Sequence, residues 1–211
     1  FLLAQEKEFL IPSISGEIKI NGKGEELDWE KSKWNSNFWN WRPTDSLEAN
    51  KQTQFKMLRD DQNLYILIEA MTGGSNFTTN LKRDFEWYQS DSVTLLFDTF
   101  SDATNAFSFA TNPLGLKADG LISGGNQNFR TDRNNAWDTK WTVETTIEEG
   151  KYTVEIKIPF SAFFYDNTQT SWRFNLYRRD FEGNETSVWA QTPQNQVIGN
   201  LGFMGKMIFE T

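Results

Sequence analysis

The sequence contains no cysteine and no histidine in 211 residues. Without cysteine it cannot form disulfides, thiolate nucleophiles or iron–sulfur clusters. Without histidine it has no Ser-His-Asp triad, and it lacks the usual ligand of catalytic zinc and non-haem iron. The chemistries that remain are carboxylate acid–base catalysis, lysine or tyrosine catalysis, and binding of hard cations by oxygen ligands. Most enzyme classes are therefore excluded.

Basic residues and long apolar runs are scarce as well. Lys and Arg number 21 against 29 Asp and Glu, which gives a net charge of −8. Such a surface repels phosphate backbones and anionic lipids, so we expect no nucleic-acid partner. No apolar stretch approaches the roughly 20 residues of a membrane-spanning helix. A chain of 24.5 kDa is long enough to form one domain with its own core.

Aromatic residues, by contrast, are abundant. Nine Trp, five Tyr and 18 Phe make up 15% of an otherwise polar chain. Packing alone seldom requires so many Trp, and an indole offers a flat apolar face on which a sugar ring can stack. Because Trp is highly buried on average, we expect most of these indoles in the core and a minority at a ligand.

The first residues change abruptly in character. Phe1-Leu2-Leu3-Ala4 is apolar, Gln5 follows it, and Glu6-Lys7-Glu8 is charged. A short apolar run that ends in a small residue is typical of the end of a secretory signal, although an N-terminal arm or edge strand explains it equally well. We therefore expect a signal remnant or arm over residues 1–14 and a single domain over residues 15–211. Export would place the protein in the periplasm, outer membrane or cell surface of a Gram-negative bacterium.

Short alternating runs between turn residues predict the fold. Residues 152–158 alternate apolar and polar side chains, residues 141–147 do the same, and Glu148-Glu149-Gly150 joins them as a hairpin. Helical periodicity is limited to residues 27–34 and 161–164. This pattern predicts an all-β protein, an antiparallel β-sandwich of the jelly-roll or immunoglobulin-like kind with one or two short helices at most. The other predicted strands are 17–20, 53–58, 64–70, 92–97, 106–110, 172–178, 187–190 and 204–209.

Trp34, Trp39 and Trp41 alternate with Asn in a segment that we predict to be a loop, residues 34–43. Indole rings next to amide groups provide the stacking surface and the hydrogen bonds that neutral sugars require. The same loop could instead fold over one end of the sandwich with its indoles as a lid.

Four aspartates are candidate ligands of a hard cation. Asp91 and Asp98 lie at the two ends of a predicted strand, where they could bind calcium or cap a loop by accepting backbone N–H bonds. Asp119 and Asp138 lie in oxygen-rich loops, but the twelve-residue spacing of a calcium-binding loop is absent.

The predicted strand 172–178 presents two different faces. Trp172, Phe174 and Leu176 belong to the core face, which leaves a polar strip on the other face. That strip consists of Arg173, Asn175 and Tyr177. Arg178 has the inward parity, so we expect it to pair with a buried carboxylate.

Short motifs follow one another in a recognisable order along residues 15–209. They include Ile18-x-Ile20-Asn21-Gly22, Ser90-Asp91-Ser92-Val93, Trp137-Asp138-x-x-Trp141 and Trp172-x-x-Asn175-x-x-Arg178. In this order the chain resembles the family 9 carbohydrate-binding module-like domain. It resembles in particular the version that precedes a large β-barrel of unknown function in outer-membrane proteins of Bacteroidetes-type bacteria.

The resemblance implies a β-sandwich and a set of ligand contacts. Family 9 modules attached to xylanases hold the reducing end of a glycan between two Trp and bind calcium structurally. Trp87, followed by Tyr88, matches the position of the first Trp; for the second, the candidates are Trp189 and the Trp39/Trp41 loop. Arg173, Asn175 and Tyr177 would then hydrogen-bond the sugar hydroxyls. Calcium, if present, would be held by Asp91, Asp98, Asp119 or Asp138.

Three functions compete. The first is a non-catalytic module that binds an oligo- or polysaccharide within an exported glycan-processing or outer-membrane protein. The second is an interaction domain docked to a C-terminal outer-membrane β-barrel, with no sugar ligand and with Trp87 packed against a partner. The third is a glycoside hydrolase, which needs two carboxyl groups ~5 Å or ~6.5–9.5 Å apart. No spacing in this sequence predicts such a pair, so we expect a protein that is not an enzyme.

Overall fold

Two sheets make up the computed structural model, which describes residues 7–74, 76, 78, 81–128 and 131–210. The helical elements in this part of the chain are five short 3-10 turns, at Leu27–Lys31, Trp87–Gln89, Gly124–Asn126, Phe160–Ala162 and Leu201–Phe203. The strands are β1 (Glu8–Ile11), β2 (Trp39–Arg42), β3 (Thr53–Arg59), β4 (Asn63–Met71), β5 (Ser92–Asp98), β6 (Ala106–Thr111), β7 (Lys117–Ile122), β8 (Arg133–Asn134), β9 (Thr142–Glu148), β10 (Lys151–Pro159), β11 (Ser171–Asp180), β12 (Glu185–Val188) and β13 (Gly205–Phe209).

The larger sheet has nine strands and the smaller sheet has four. The larger sheet runs in the order β1-β13-β11-β5-β6-β7-β8, and β12 joins β11 to β2. The smaller sheet runs β3-β4-β10-β9. Neighbouring strands are antiparallel except for β1 and β13, which are parallel. The predicted all-β sandwich is therefore confirmed.

The main core lies between the two sheets. Strand β10 contributes Tyr152, Val154, Ile156 and Ile158, the alternate residues that the period-two pattern assigned to one face. Aromatic rings fill the centre, where the rings of Phe55, Phe174 and Trp189 lie 5.3–5.9 Å apart. Separations in that range are typical of favourable aromatic packing.

A second apolar layer covers the outer face of the smaller sheet. Residues 14–31 lie across that face, where Ile18 and Trp29 pack on Leu58, Tyr65 and Leu67. This layer explains why β4 is apolar on both faces. It also corrects the predicted strand 17–20, whose alternation reflects packing onto the sheet without strand pairing.

A third apolar layer covers the outer face of the larger sheet. Leu96, Tyr177 and Val188 point outward from the strands, and Trp87 and Ile198 lie over them together with Trp41. Strand β5 is consequently buried along its whole length.

Three other elements differ from the sequence prediction. The segment 34–43 is not entirely a loop, because Trp39–Arg42 forms β2 against β12. Strand β7 was missed because Asp119 and Gly120 interrupt its apolar pattern. Residues Glu8–Ile11 of the predicted N-terminal arm form β1, with Phe9 and Ile11 in the core; residues 1–6 lie outside the described part. None of the described helical segments is long and apolar enough to cross a membrane.

Candidate functional site

Two adjoining cavities form a groove on the outer face of the larger sheet, and they meet at Trp87 and Tyr88. The first cavity has a volume of about 450 Å³ and is lined by Asp84, Phe85, Glu86, Trp87, Tyr88, Ser108, Ala110, Ala118, Asp119, Arg133 and Asn135. The second has a volume of about 710 Å³ and is lined by Trp41, Arg42, Pro43, Trp87, Tyr88, Arg179, Asn184, Thr186, Gln194, Asn195, Gln196, Val197 and Ile198. Both volumes fall in the range of small-molecule sites.

A 3-10 turn before β5 sets the two aromatic rings at the junction of the cavities. The Ser92 hydroxyl donates a hydrogen bond to the Trp87 carbonyl over 2.8 Å and ties the turn to the strand. Trp87 is only 9% exposed, and its ring meets those of Tyr88 and Tyr177 edge to face at 5.8 and 5.1 Å. Tyr88 is 44% exposed. Tyr88 is therefore the accessible ring of the pair, and the buried ring of Trp87 packs against it.

Among the candidates for the second Trp, Trp41 is the one that lines the second cavity together with Trp87. Trp41 is 9% exposed and donates its indole N–H to the Pro193 carbonyl over 3.3 Å. The guanidinium of Arg42 lies over the Trp41 ring, 4.7 Å from its centroid. Trp39 is half-buried opposite Val188 and lines neither cavity. Trp189 lies in the main core.

The polar strip of Arg173, Asn175 and Tyr177 lies on the predicted face of β11, but other segments of the protein pack over it. Asn175 is fully buried and bonds to the backbone of Ala190. Arg173 donates to the carbonyls of Gly202 and Met204. Tyr177 is also fully buried, and its hydroxyl accepts a 2.7 Å hydrogen bond from the Arg133 guanidinium. Only Tyr177 is thus linked to the groove, because Arg133 lines the first cavity.

The four aspartates singled out for a cation bind groups of the protein itself. Asp98 accepts hydrogen bonds from the amides of Phe100, Ser101 and Ala103, and Asp91 accepts one from the amide of Phe181. Arg83 bridges Asp119 and Asp138, and the other oxygen of Asp119 accepts from the Thr139 amide over 2.8 Å. Burial raises the pKa of Asp119, although Arg83 and the Thr139 amide oppose the rise.

These four carboxylates do not fit a common calcium site. Asp98 caps the loop that follows β5, which is the alternative given above, and Arg83 neutralises the other pair of carboxylates. Among the residues that the structure describes, no three acidic side chains converge as a cation would require.

Several groove residues were not predicted from the sequence. Arg179 continues the outward parity of residues 173, 175 and 177, so the alternation of β11 could have identified it. Arg42 directly follows Trp41. No local pattern indicates Arg133 or Gln194, because only the fold brings their distant segments to the groove.

The two sheets and the aromatic groove on one outer face define a β-sandwich with a concave surface suited to a small polar ligand. The profile of the family described as Carbohydrate family 9 binding domain-like matches residues 20–210, and the chain belongs to that family.

Solved structures share the fold. A protein from Bacteroides uniformis, named as a candidate carbohydrate-binding protein, superposes with a TM-score of 0.76 at 13% identity and covers 97% of this chain and 100% of its own. A family 9 carbohydrate-binding module from Caldicellulosiruptor kristjanssonii in complex with cellotriose gives a TM-score of 0.70 at 19% identity, over 97% of this chain and 94% of its own. The same module in complex with glucose gives 0.70 at 19% identity over 97% and 96%. The search of curated proteins found no significant match.

Proposed function

We propose that the groove binds an oligo- or polysaccharide and that the domain is a non-catalytic carbohydrate-binding module. The observation that carries the proposal is the position of Tyr88, whose exposed ring stands where two cavities with polar rims meet. Membership of the family supports it, as do the complexes of the Caldicellulosiruptor module with cellotriose and glucose.

The chemistry of the groove suits a sugar. The apolar face of a pyranose would stack on Tyr88, which Trp87 holds in place by its edge-to-face contact. Hydroxyl groups would then meet Asn135 and Arg133 in the first cavity and Gln194 in the second, with Asn184 and Thr186 nearby. In this arrangement Tyr88 takes the stacking role that the family resemblance assigned to Trp87.

We propose further that the module belongs to an exported glycan-processing or outer-membrane protein of a Gram-negative bacterium. The acidic, cysteine-free composition is compatible with that location. Proteolysis of outer-membrane and periplasmic fractions, followed by immunoblotting, would test this assignment. Retention of the protein in the cytosolic fraction would contradict it.

Calorimetric titration with neutral and acidic oligosaccharides, including cellotriose and glucose, tests sugar binding. We expect saturable binding with a micromolar to millimolar dissociation constant. Tyr88→Ala should weaken it tenfold or more, since each tenfold corresponds to about 1.4 kcal/mol. Tyr165→Ala is the matched control, because Tyr165 is similarly exposed at 39% but lines a different cavity. Equal losses in the two variants would contradict the assignment of the groove.

One observation favours a second candidate, the interaction domain docked to a C-terminal outer-membrane β-barrel. Trp87 is almost covered, as expected for a residue that serves packing. A folded protein that gives no binding heat with any glycan of the panel would reject the sugar site and leave the interaction domain.

A further inference from the structure

We propose that the second cavity of the groove selects acidic sugars, with Arg42 and Arg179 holding the carboxylate of a uronic acid residue. The inference rests on the proposed function, because it names the class of glycan that the same groove takes. Two guanidinium groups line this cavity, no carboxylate of the described residues lines it, and both guanidinium groups keep N–H donors for a ligand.

The strand register places the two arginines on one face of the sheet. Thr186 of β12 is paired with Arg179 of β11 on one side and with Arg42 of β2 on the other. Directly paired residues project their side chains to the same face, and strands lie about 4.8 Å apart. The two arginines are therefore two strands apart, roughly 10 Å between backbones. All three residues line the second cavity.

The side chains that line the second cavity carry an excess of positive charge. In the described part of the chain its lining includes two guanidinium groups and no carboxylate, and neither arginine forms an ion pair with a described residue. Burial lowers the pKa of Arg179, and the negative charges of Asp180 and Asp91 oppose that change. The lining therefore carries a net positive charge within a chain of net charge −8, and a concave pair of cations attracts an anion.

Both guanidinium groups are held with donors to spare. The guanidinium of Arg42 lies over the Trp41 ring, and no hydrogen bond from it to a described residue is found, so its N–H donors remain for a ligand. Arg179 donates from one terminal nitrogen to Asn184 over 2.8 Å and from the other to Thr186 over 3.4 Å, and each of these nitrogens carries a second N–H group for a ligand. Planar guanidinium groups match the geometry of a carboxylate.

The first cavity has the opposite character. Asp84, Glu86 and Asp119 line it together with Arg133, and Arg83 pairs with both Asp84 and Asp119, so this cavity has no excess of positive charge. An acidic sugar residue would be attracted to the second cavity and not to the first, and the rings of Trp87 and Tyr88 lie where the two cavities meet. The groove therefore distinguishes the two ends of a bound glycan by charge.

Three trimers of matched shape test the proposal by calorimetry on the full chain. They are cellotriose, the same trimer with each C6 hydroxymethyl group oxidised to a carboxylate, and the methyl ester of that acid. We expect the acid to bind at least tenfold more tightly than the other two at low salt, and the preference to shrink as salt rises. In Arg42→Gln and in Arg179→Gln the ratio of acid to ester affinity should fall about tenfold. Arg42→Lys and Arg179→Lys should give intermediate ratios.

Arg59→Gln is the matched control, because Arg59 lines a separate cavity and should leave the ratio unchanged. Arg42 is exposed, so its variants test the idea even if a change at Arg179 impairs folding. Equal affinity for the three trimers, or an acid preference that survives both Gln substitutions, would overturn the inference while sugar binding stood. Absence of binding by every glycan would overturn the proposed function as well.

Discussion

Asn175 binds both backbone groups of Ala190. Its side-chain oxygen accepts from the Ala190 amide over 2.9 Å, and its side-chain amide donates to the Ala190 carbonyl over 3.0 Å. The same oxygen accepts from the Leu176 amide. The Asn175 side chain thus makes the two hydrogen bonds that a neighbouring strand would make, at a point just after β12 has ended. These bonds hold in place the start of the segment around residues 190–204, which lies over the larger sheet.

We expect Asn175→Ala to lower the free energy of unfolding by about 2–4 kcal/mol, because it leaves buried backbone groups without partners. Urea unfolding would measure this loss, with the exposed Asn167→Ala as control. Where the variant is still folded, its glycan affinity should match that of the unchanged protein. A variant that lost affinity but kept its stability would instead place Asn175 at the ligand.

The strands could be predicted because the alternation of apolar and polar residues that marks them is visible within a few consecutive residues. In strands such as β10, alternate side chains face the main core, so the sequence period reveals the structure. Residues 17–20 show where this argument fails: they alternate because Ile18 packs on the smaller sheet, and packing without pairing leaves the same pattern.

The site residues were harder to predict, because the exposure of the outer face of a strand depends on which distant segments of the chain cover it. Alternation identified the outward side of β11, but the segment around residues 190–204 buries Asn175 and Tyr177. The parity argument for Arg178 was right about burial, but it did not indicate the neutral groups to which the guanidinium donates. Its guanidinium donates to the carbonyls of Lys51 and Met71 and to the Thr53 hydroxyl, and its charge opposes the rise that burial causes in the pKa of Glu185.

Glu155 is a fully buried carboxylate on the outer side of β10. It accepts from the amides of Asn21 and Gly22 at 2.9 and 2.8 Å and from the Trp29 indole at 3.2 Å. Through these hydrogen bonds Glu155 holds residues 14–31 against the outer face of the smaller sheet.

Replacing Glu155 by Gln should destabilise the fold by about 1–3 kcal/mol, because an amide group cannot accept all three donors. The midpoint of guanidinium unfolding would report the change, and Glu149→Gln in the exposed hairpin turn is the control of equal chemistry. If both substitutions shifted the midpoint equally, the hydrogen bonds of Glu155 would contribute nothing specific.

Calcium, which the family resemblance implies, can be tested directly. Because Asp98 caps its own loop and Arg83 neutralises Asp119 and Asp138, we expect excess chelator to leave the melting temperature unchanged. A bound ion would stabilise the native state by mass action, so its removal would lower the melting temperature. A fall in melting temperature that added calcium reverses would show a site built from other residues.

Lys7 provides a prediction about pH. Its ammonium group donates to the Asn37 carbonyl over 2.6 Å and lies 5.5 Å from the centroid of the Trp189 ring. Burial lowers its pKa from the ordinary value of 10.5 to about 8, although Glu48 opposes the change. Folding therefore disfavours the charged form of this side chain.

The direction of the effect follows from proton binding. Below pH 8 both states hold the proton, so Lys7 adds no pH dependence. Between about pH 8 and 10.5 the unfolded chain keeps a proton that the folded protein has released, so the stability contributed by Lys7 rises with pH. We expect the unfolding free energy of the unchanged protein minus that of Lys7→Met to become more positive across that window, measured by urea unfolding at pH 7, 8, 9 and 10. The exposed Lys23→Met serves as control, because its difference should stay flat. Parallel curves for the unchanged protein and Lys7→Met would show that Lys7 keeps an ordinary pKa, and would remove the argument that burial beside Trp189 disfavours its charge.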